Sequence, residues 1–188
     1  EALYNMLMKK PQTISDCSAI VTGIILAFNL PASIPLWIAV VGAFAAIVVT
    51  KQLFGGLGMN FANPALVGRI ALFIGFAARM TNYTPPEGAL DGLASATPLA
   101  LAKTQSGIAM LKDLLLGTHP GMLGETCAIA LILGGIYLIA TKTISPAIPV
   151  TYLATVAVMC LLLGQDVVLH LLSGGLLLGA FFMATDYV

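Results

Sequence analysis

Charge is what this 188-residue chain has least of. Asp, Glu, Lys and Arg make up 9% of it, against about 25% in a soluble globular chain. A short chain still has to cover its surface with something, and a surface this poor in charge excludes an ordinary water-soluble domain. With 59% hydrophobic residues and a mean hydropathy of +1.01, the natural solvent for that surface is the hydrocarbon of a bilayer. Neither sign of charge is in excess, eight basic against eight acidic residues. No basic patch or tail is long enough to hold nucleic acid or an anionic surface. Cysteine is scarce too. Cys17, Cys127 and Cys160 stand apart with no C-x-x-C spacing, which excludes a disulfide framework and an iron–sulfur set and reads them as small buried hydrophobes. Also missing are a nucleotide phosphate loop and a zinc motif. The chain opens at Glu1 without a methionine or a recognisable signal peptide, and closes at Asp186-Tyr187-Val188 just after an apolar run. The expectation is a fragment with further segments on both sides.

What is present is a series of apolar runs. No charged residue falls between Cys17 and Thr50, too long a stretch for one span, and Asn29-Leu30-Pro31 interrupts it. The pattern predicts helices over Thr13–Phe28 and Ile34–Thr50, each near the lower limit of about 17 residues for crossing a bilayer. Asn63-Pro64 predicts a helix start, since Asn caps well and Pro is favoured at the first helical position. That helix is expected over Pro64–Met80, with Arg69 inside it. Thr81–Gly107 is the polar part, and Pro85-Pro86-Glu87-Gly88 within it cannot be helical. A loop this long is usually functional or disordered. Ile108–Leu116, short and carrying Lys112 and Asp113, is expected to lie in the membrane interface. Thr118-His119-Pro120-Gly121 reads as a turn. Three more apolar runs follow: Met122–Thr141, Pro146–Leu163 and Val167–Thr185, the last interrupted by Gly174-Gly175. The fold class is therefore all-α: a polytopic integral membrane helical bundle of about six spans, forming a single transmembrane domain over 1–188.

Lysines orient the spans, because cytoplasmic loops carry the excess of positive charge. Lys9, Lys10, Lys51 and Lys142 can all be placed inside, which puts the 81–107 loop outside together with Arg79, Lys103 and Lys112. Leu30-Pro31-Ala32-Ser33-Ile34-Pro35 resembles Ile144-Ser145-Pro146-Ala147-Ile148-Pro149. Each opens an apolar run that is followed by a glycine pair, Gly55-Gly56 or Gly174-Gly175. With the first proline cluster outside and the second inside, this is the pattern of an inverted repeat whose broken helices line a site.

Few residues offer chemistry. Asp91-Gly92-Leu93-Ala94-Ser95-Ala96-Thr97-Pro98-Leu99 is a run of small residues that lets another surface approach closely. By composition alone, Thr97 is a loop threonine before a helix begun by Pro98. Asn60 and Asn63 stand three apart beside Gly55-Gly56-Leu57-Gly58. Their amides suit the donors and acceptors of a ring edge, or serve as a turn residue and an N-cap. Arg69, inside a span, needs a partner or a cavity: a carboxylate, a bound polar group or backbone carbonyls. Glu125, Asp166 and His170 are the other candidates for buried ionisable groups. Asp166 and His170, four apart, share a helix face that would suit a cation pathway, or simply sit near a helix end.

Two of these segments carry a resemblance. Gly55-Gly56-Leu57-Gly58-Met59-Asn60-Phe61-Ala62-Asn63-Pro64-Ala65-Leu66-Val67-Gly68-Arg69 and the Asp91–Thr97 stretch resemble the D subunit of the Rnf complex. They are similar also to the B subunit of the sodium-translocating NADH:quinone oxidoreductase. The likeness runs from about Ile34 to the end and includes Met183-Ala184-Thr185-Asp186. The family's flavin-attachment pattern is Asp-x-x-[Ser/Thr]-Gly-Ala-[Thr/Ser]. Asp91, Ala96 and Thr97 keep their places, whereas Ala94 stands where a hydroxyl residue is usual and Ser95 where glycine is usual. The resemblance implies a phosphoester joining FMN to Thr97 outside the cytoplasm, and a non-covalent riboflavin beside Asn60, Asn63 and Arg69. A phosphoester leaves the redox ring untouched, so the flavin carries the electrons while the protein positions and tunes it.

On this reading the chain is an electron-transfer subunit, with no catalytic residue or metal ligand of its own, of an ion-translocating ferredoxin:NAD+ oxidoreductase in the prokaryotic inner membrane. It couples redox to Na+ or H+ transport. Its partners are the lipid bilayer and the other subunits, which supply the nicotinamide site and the clusters. Two alternatives stay open on the residues. One is the flavin subunit of the quinone-reducing relative. The other is a non-redox channel or solute transporter, which the proline–glycine breaks suit as well.

Overall fold

The computed structural model describes residues 1–83, 107–117 and 119–186. They divide into two compact units, Glu1–Thr81 and Asn82–Asp186. Among the described residues all regular structure is helical, so the all-α class holds.

The first unit contains α1 (Ala2–Leu7), a 3-10 turn (Ile14–Asp16), α2 (Ser18–Phe28), α3 (Leu36–Phe44), α4 (Pro64–Gly75) and α5 (Ala77–Met80). The start of α4 is as the sequence predicts: Asn63 Oδ1 accepts from Ala65 N at 3.0 Å and Leu66 N at 3.3 Å, with Pro64 in the first turn. Its end is earlier. Phe76 leaves helical geometry at φ −135°, and its ring packs edge-on against Trp37 at 5.3 Å, so the expected Pro64–Met80 helix is two pieces. The start of α2 is later than expected because Cys17 adopts a left-handed conformation, φ 55°. Asp16 Oδ1 accepts from both Ser18 N and Ser18 Oγ there. Cys17 is accordingly exposed, not buried as the sequence suggests; Cys160 is buried and Cys127 half-buried. Helix α3 runs without a break into a π-helix, Ala45–Gln52, in which Thr50 Oγ1 reaches back to Ala45 O at 3.1 Å.

Helix α4 packs against α2, α3 and the π-helix around a core that includes Leu26, Ile38, Ala46, Ala65 and Leu72. The approach is through glycine. A Cβ on Gly68 would lie 2.9 Å from Gly42 O and 3.1 Å from Ala46 Cβ, and one on Gly42 would lie 2.5 Å from Leu72 Cδ1.

The second unit contains α6 (Gly107–Leu116), α7 (Ala128–Ala140), α8 (Ala147–Leu162), α9 (Val167–Leu172), α10 (Leu176–Leu178) and a π-helix, Gly179–Met183. Helix α8 matches its sequence reading within a residue at each end. Gly164, at φ 66°, closes it: Gln165 N donates to Cys160 O and Gly164 N to Leu161 O, the paired bonds of a Schellman end. The same end closes α7, with Lys142 at φ 57° in the glycine's place. The predicted interruption near Gly174-Gly175 separates α9 from α10. The core gathers Ala128, Leu177 and Phe181, with Leu131, Leu153 and Leu172 packed on it. Phe181 lies so close to Gly135 that no Cβ fits between them.

Among the described residues no helix is long and apolar enough to cross a membrane. The longest, α8, has 16 residues, about 24 Å of rise. Caps at Cys17, Phe76 and Cys127 and the break at Ser173 shorten the apolar runs that the sequence offers as spans. Apolar side chains nevertheless stand outward: Leu36, Ile74 and Leu162 are 84%, 81% and 76% exposed.

The glycine contact makes a paired prediction. Gly68→Ala is expected to cost about 1–3 kcal/mol, as overpacking does. Gly23→Ala, in α2 where an added Cβ meets nothing within 4 Å, should gain about 0.5–1 kcal/mol from helix propensity. Thermal melting of the detergent-solubilised protein checks both; equal shifts would show that the α3–α4 approach is not tight.

Candidate functional site

The glycine–asparagine motif forms a turn between the first π-helix and α4. Gly55, Gly56 and Gly58 all have positive φ, 124°, 102° and 81°. At Gly56 and Gly58 an added Cβ would meet nothing, so conformation and not crowding requires glycine there. The turn brings Phe54 and Phe61 together with ring centroids 5.0 Å apart. Between these two rings in sequence lies Asn60, and both its Oδ1 and its Nδ2 are buried without a hydrogen-bond partner. Native proteins rarely leave a buried amide unpaired at both ends, and a ligand with an adjacent donor and acceptor would satisfy it. Asn63, three residues on, caps α4 with its side-chain oxygen.

Arg69 lies on the same helix. Its Nη1 donates to Asn29 Oδ1 at 2.8 Å. Asn29 is buried at the α2 C-cap and gives its own Nδ2 to Ile25 O at 2.7 Å. The structure thus supplies Arg69 with a side-chain amide at the Asn29-Leu30-Pro31 break, a partner outside those expected from the sequence. Asn60, Asn63 and Arg69 belong to one unit, on one helix and the turn before it. Thr97 lies outside the described residues.

A second polar cluster in the first unit is not among the expectations from sequence. Lys51, expected to end a span, is 1% exposed. Its ammonium donates to Ser18 Oγ and stands 3.5 Å from Glu1 Oε2. Glu1 Oε1 accepts from Thr13 Oγ1 and Gln52 Nε2, each at 2.7 Å. Asn5 Nδ2 donates to Thr13 Oγ1 at 3.1 Å, and Lys10 Nζ to Gln52 O at 3.1 Å. No spacing rule joins Glu1 to Lys51, fifty positions apart; the one signal is a lysine and a glutamine directly after a long uncharged run. Ser18 links this cluster to Asp16. Ser18's hydroxyl first, and its backbone N–H second, hold the exposed Asp16 carboxyl below the ordinary aspartate range, and the Lys51 charge adds to this.

In the second unit the charged candidates resolve into helix ends. Asp166 caps α9, its Oδ1 accepting from Val168 N and Leu169 N at 3.0 and 3.2 Å. His170 Nδ1 donates to the Asp166 carbonyl at 2.8 Å. Both side chains thus bond to backbone. His119 is buried, with Nδ1 on Asp113 O at 3.1 Å. Glu125 is half-buried, and its Oε2 and His119 Nε2 both lie 3.8 Å from where a Cβ on Gly121 would sit. Among the described residues no group of three or more His, Cys, Asp or Glu could hold a metal.

The whole chain, residues 1–188, matches the protein-family model described as the NQR2, RnfD, RnfE family, and the chain belongs to that family. It is 50% identical over 193 residues to the D subunit of the Na+-translocating ferredoxin:NAD+ oxidoreductase complex of Acetobacterium woodii, covering 100% of this chain and 60% of that protein. It is 39% identical over 206 residues to the D subunit of the proton-translocating ferredoxin:NAD+ oxidoreductase complex of Clostridium ljungdahlii, covering 100% and 62%. It is 38% identical over 211 residues to the D subunit of the ion-translocating oxidoreductase complex of Rhodobacter capsulatus, covering 93% and 59%. The chain thus spans about three fifths of the length of these relatives.

Two predictions come from the Lys51 cluster. Lys51→Met leaves the Glu1 carboxylate buried and uncompensated, and should cost about 3–5 kcal/mol; adding Glu1→Gln should recover most of that. Thermal melting of the three variants decides it, and a Lys51→Met protein that melts like the parent would show the pair carries no stability. Asp16 sets a pH dependence. Its carboxyl is lowered on folding, so its stabilising contribution is present above the ordinary aspartate value of about 3.9 and is lost as pH falls through the lowered folded value. An acid titration of melting temperature should therefore fall less steeply for Asp16→Asn than for the parent below about pH 4.

Proposed function

We propose that this chain is the membrane-embedded, electron-carrying subunit of an ion-translocating ferredoxin:NAD+ oxidoreductase. It holds two flavins within a complex whose other subunits supply the nicotinamide site and the clusters, and electron flow through it is coupled to movement of Na+ or H+. The observation that carries the reading is the Asn60 amide, closed from solvent and unpaired at both ends. Leaving such groups unsatisfied costs about 1–3 kcal/mol each, and the edge of a flavin ring, with adjacent donor and acceptor, would remove that cost. The second flavin therefore fits the residues present. Asn60 reads its ring edge, Phe54 and Phe61 supply apolar faces beside it, and Asn63 and Arg69 fix the helix on which the site is built. The flavin, when bound, supplies the electron transfer; this chain's residues bind and orient it and keep water from the Asn60 amide.

The other flavin is FMN, joined by a phosphoester to Thr97. Its support is the motif Asp91, Ala96 and Thr97 together with membership of the family. Location in the inner membrane, with the 81–107 loop outside the cytoplasm, is supported by the low charge and by the outward-facing apolar side chains of both units. These exceed what a soluble monomer usually exposes. The two units each carry a π-helix beside a Gly-Ala-Phe triplet, Gly42-Ala43-Phe44 and Gly179-Ala180-Phe181, which supports an internal repeat. The likeness to the Acetobacterium and Clostridium proteins favours ferredoxin and NAD+ over the quinone-reducing alternative.

Two variants separate the flavins. Thr97→Ala should abolish the fluorescent band that survives a denaturing gel, and leave a flavin that is released on denaturation. Asn60→Leu should do the reverse. An unmodified peptide spanning Asp91–Lys103, measured by mass spectrometry from native membranes, would falsify the attachment at Thr97.

A further inference from the structure

Within the first unit an open groove of about 350 Å³ runs between α1 and the continuous α3–π helix. Leu3, Tyr4 and Leu7 form one wall, and Val40, Phe44 and Val48 the other. Glu1 borders it, but its carboxylate is turned to Thr13, Gln52 and Lys51, so the lining is carbon almost throughout. Leu3, Leu7, Val40 and Phe44 each leave more than half their surface uncovered.

The groove changes character beside Tyr4. Lys10 Nζ stands 5.3 Å over the Tyr4 ring and gives one of its donors to Gln52 O; an ammonium has two more. Lys9, exposed and at φ 53°, sits next to it at the end of α1. An apolar channel with two ammonium groups beside it complements a molecule with a hydrocarbon chain and an anionic head. We propose that this groove holds an acyl chain of an anionic phospholipid, with its phosphate on Lys9 and Lys10. The sequence offers no basic run long enough to retain such a lipid by charge. The groove adds apolar contact to the attraction of two lysines, and that combination of two weak signals is what stable lipid binding requires. A protein helix laid in the groove would cover the same walls but would bring no obligatory negative charge to the lysines.

The test is native mass spectrometry of the full-length protein in its complex, in mild detergent, with phosphatidylglycerol, phosphatidylcholine or inorganic phosphate added. Phosphatidylglycerol should be retained over phosphatidylcholine by roughly tenfold or more, as two lysines near one phosphate imply. Lys9→Gln with Lys10→Gln should remove that preference, and Ala43→Trp, which fills the groove, should lower retention of both lipids. Should the tryptophan variant not fold, phosphatidylglycerol carrying a photoreactive group in mid-chain replaces it as the readout. In the unaltered protein it should label Leu3–Leu7 or Val40–Val48. Equal retention of the two lipids, displacement of the lipid by inorganic phosphate, labelling confined to other segments, or a crosslink from Val40 or Phe44 to another protein segment in native membranes would each overturn the proposal.

Discussion

The first unit depends on how near α4 can come to α3. Two glycines, Gly42 and Gly68, let the backbones meet at a distance that any side chain would prevent. Where a surface is apolar and lipid competes for it, the hydrophobic effect does little to hold helices together, and close van der Waals contact between small residues takes its place. Everything that gives the candidate site its form is hung on that contact. Asn63 begins α4, the positive-φ glycines deliver the chain to Asn63, and Arg69 ties the same helix to Asn29.

Scarcity of charge gives each charged residue a structural task. Lys51 and Glu1 are paired inside a network with Thr13, Ser18 and Gln52, and Asp166 starts a helix. A soluble protein scatters such residues over its surface at little consequence; here losing one partner leaves the other in a place with no water to receive it. Asn60 stands apart from these. Among the described residues it is the buried amide with neither its donor nor its acceptor matched by the chain, and that makes it the most informative single residue about function.

The legible parts of the fold are those with local chemical punctuation. Asn63-Pro64 marks the start of α4, Gly164 the end of α8, and Gly174-Gly175 the break before α10. Less legible are features that depend on partners far along the chain. Lys51 looks like a span terminator in sequence because its carboxylate is fifty positions away. Arg69 needs a partner, but nothing in the spacing singles out Asn29. The early end of α4 at Phe76 goes with a ring contact to Trp37, and the late start of α2 with a left-handed Cys17 that propensity disfavours. The candidate site is legible in part: Asn60 and Asn63 stand out beside the glycine run, and the unpaired state of one and the capping role of the other separate only in three dimensions. Thr97 lies outside the described residues, and its assignment stands on its motif.

The π-helix over Ala45–Gln52 sets the chain's register as well as its path. A π turn accommodates one residue more than an α turn, and one residue corresponds to about 100° of rotation in an α-helix. Removing a single residue from this stretch would let it relax to ordinary α geometry and swing all that follows by roughly that angle. Lys51 would then turn away from Glu1, and the glycine turn would set out in a different direction. The stretch is therefore a counting device: the identity of its apolar residues can drift within limits of size, while their number cannot.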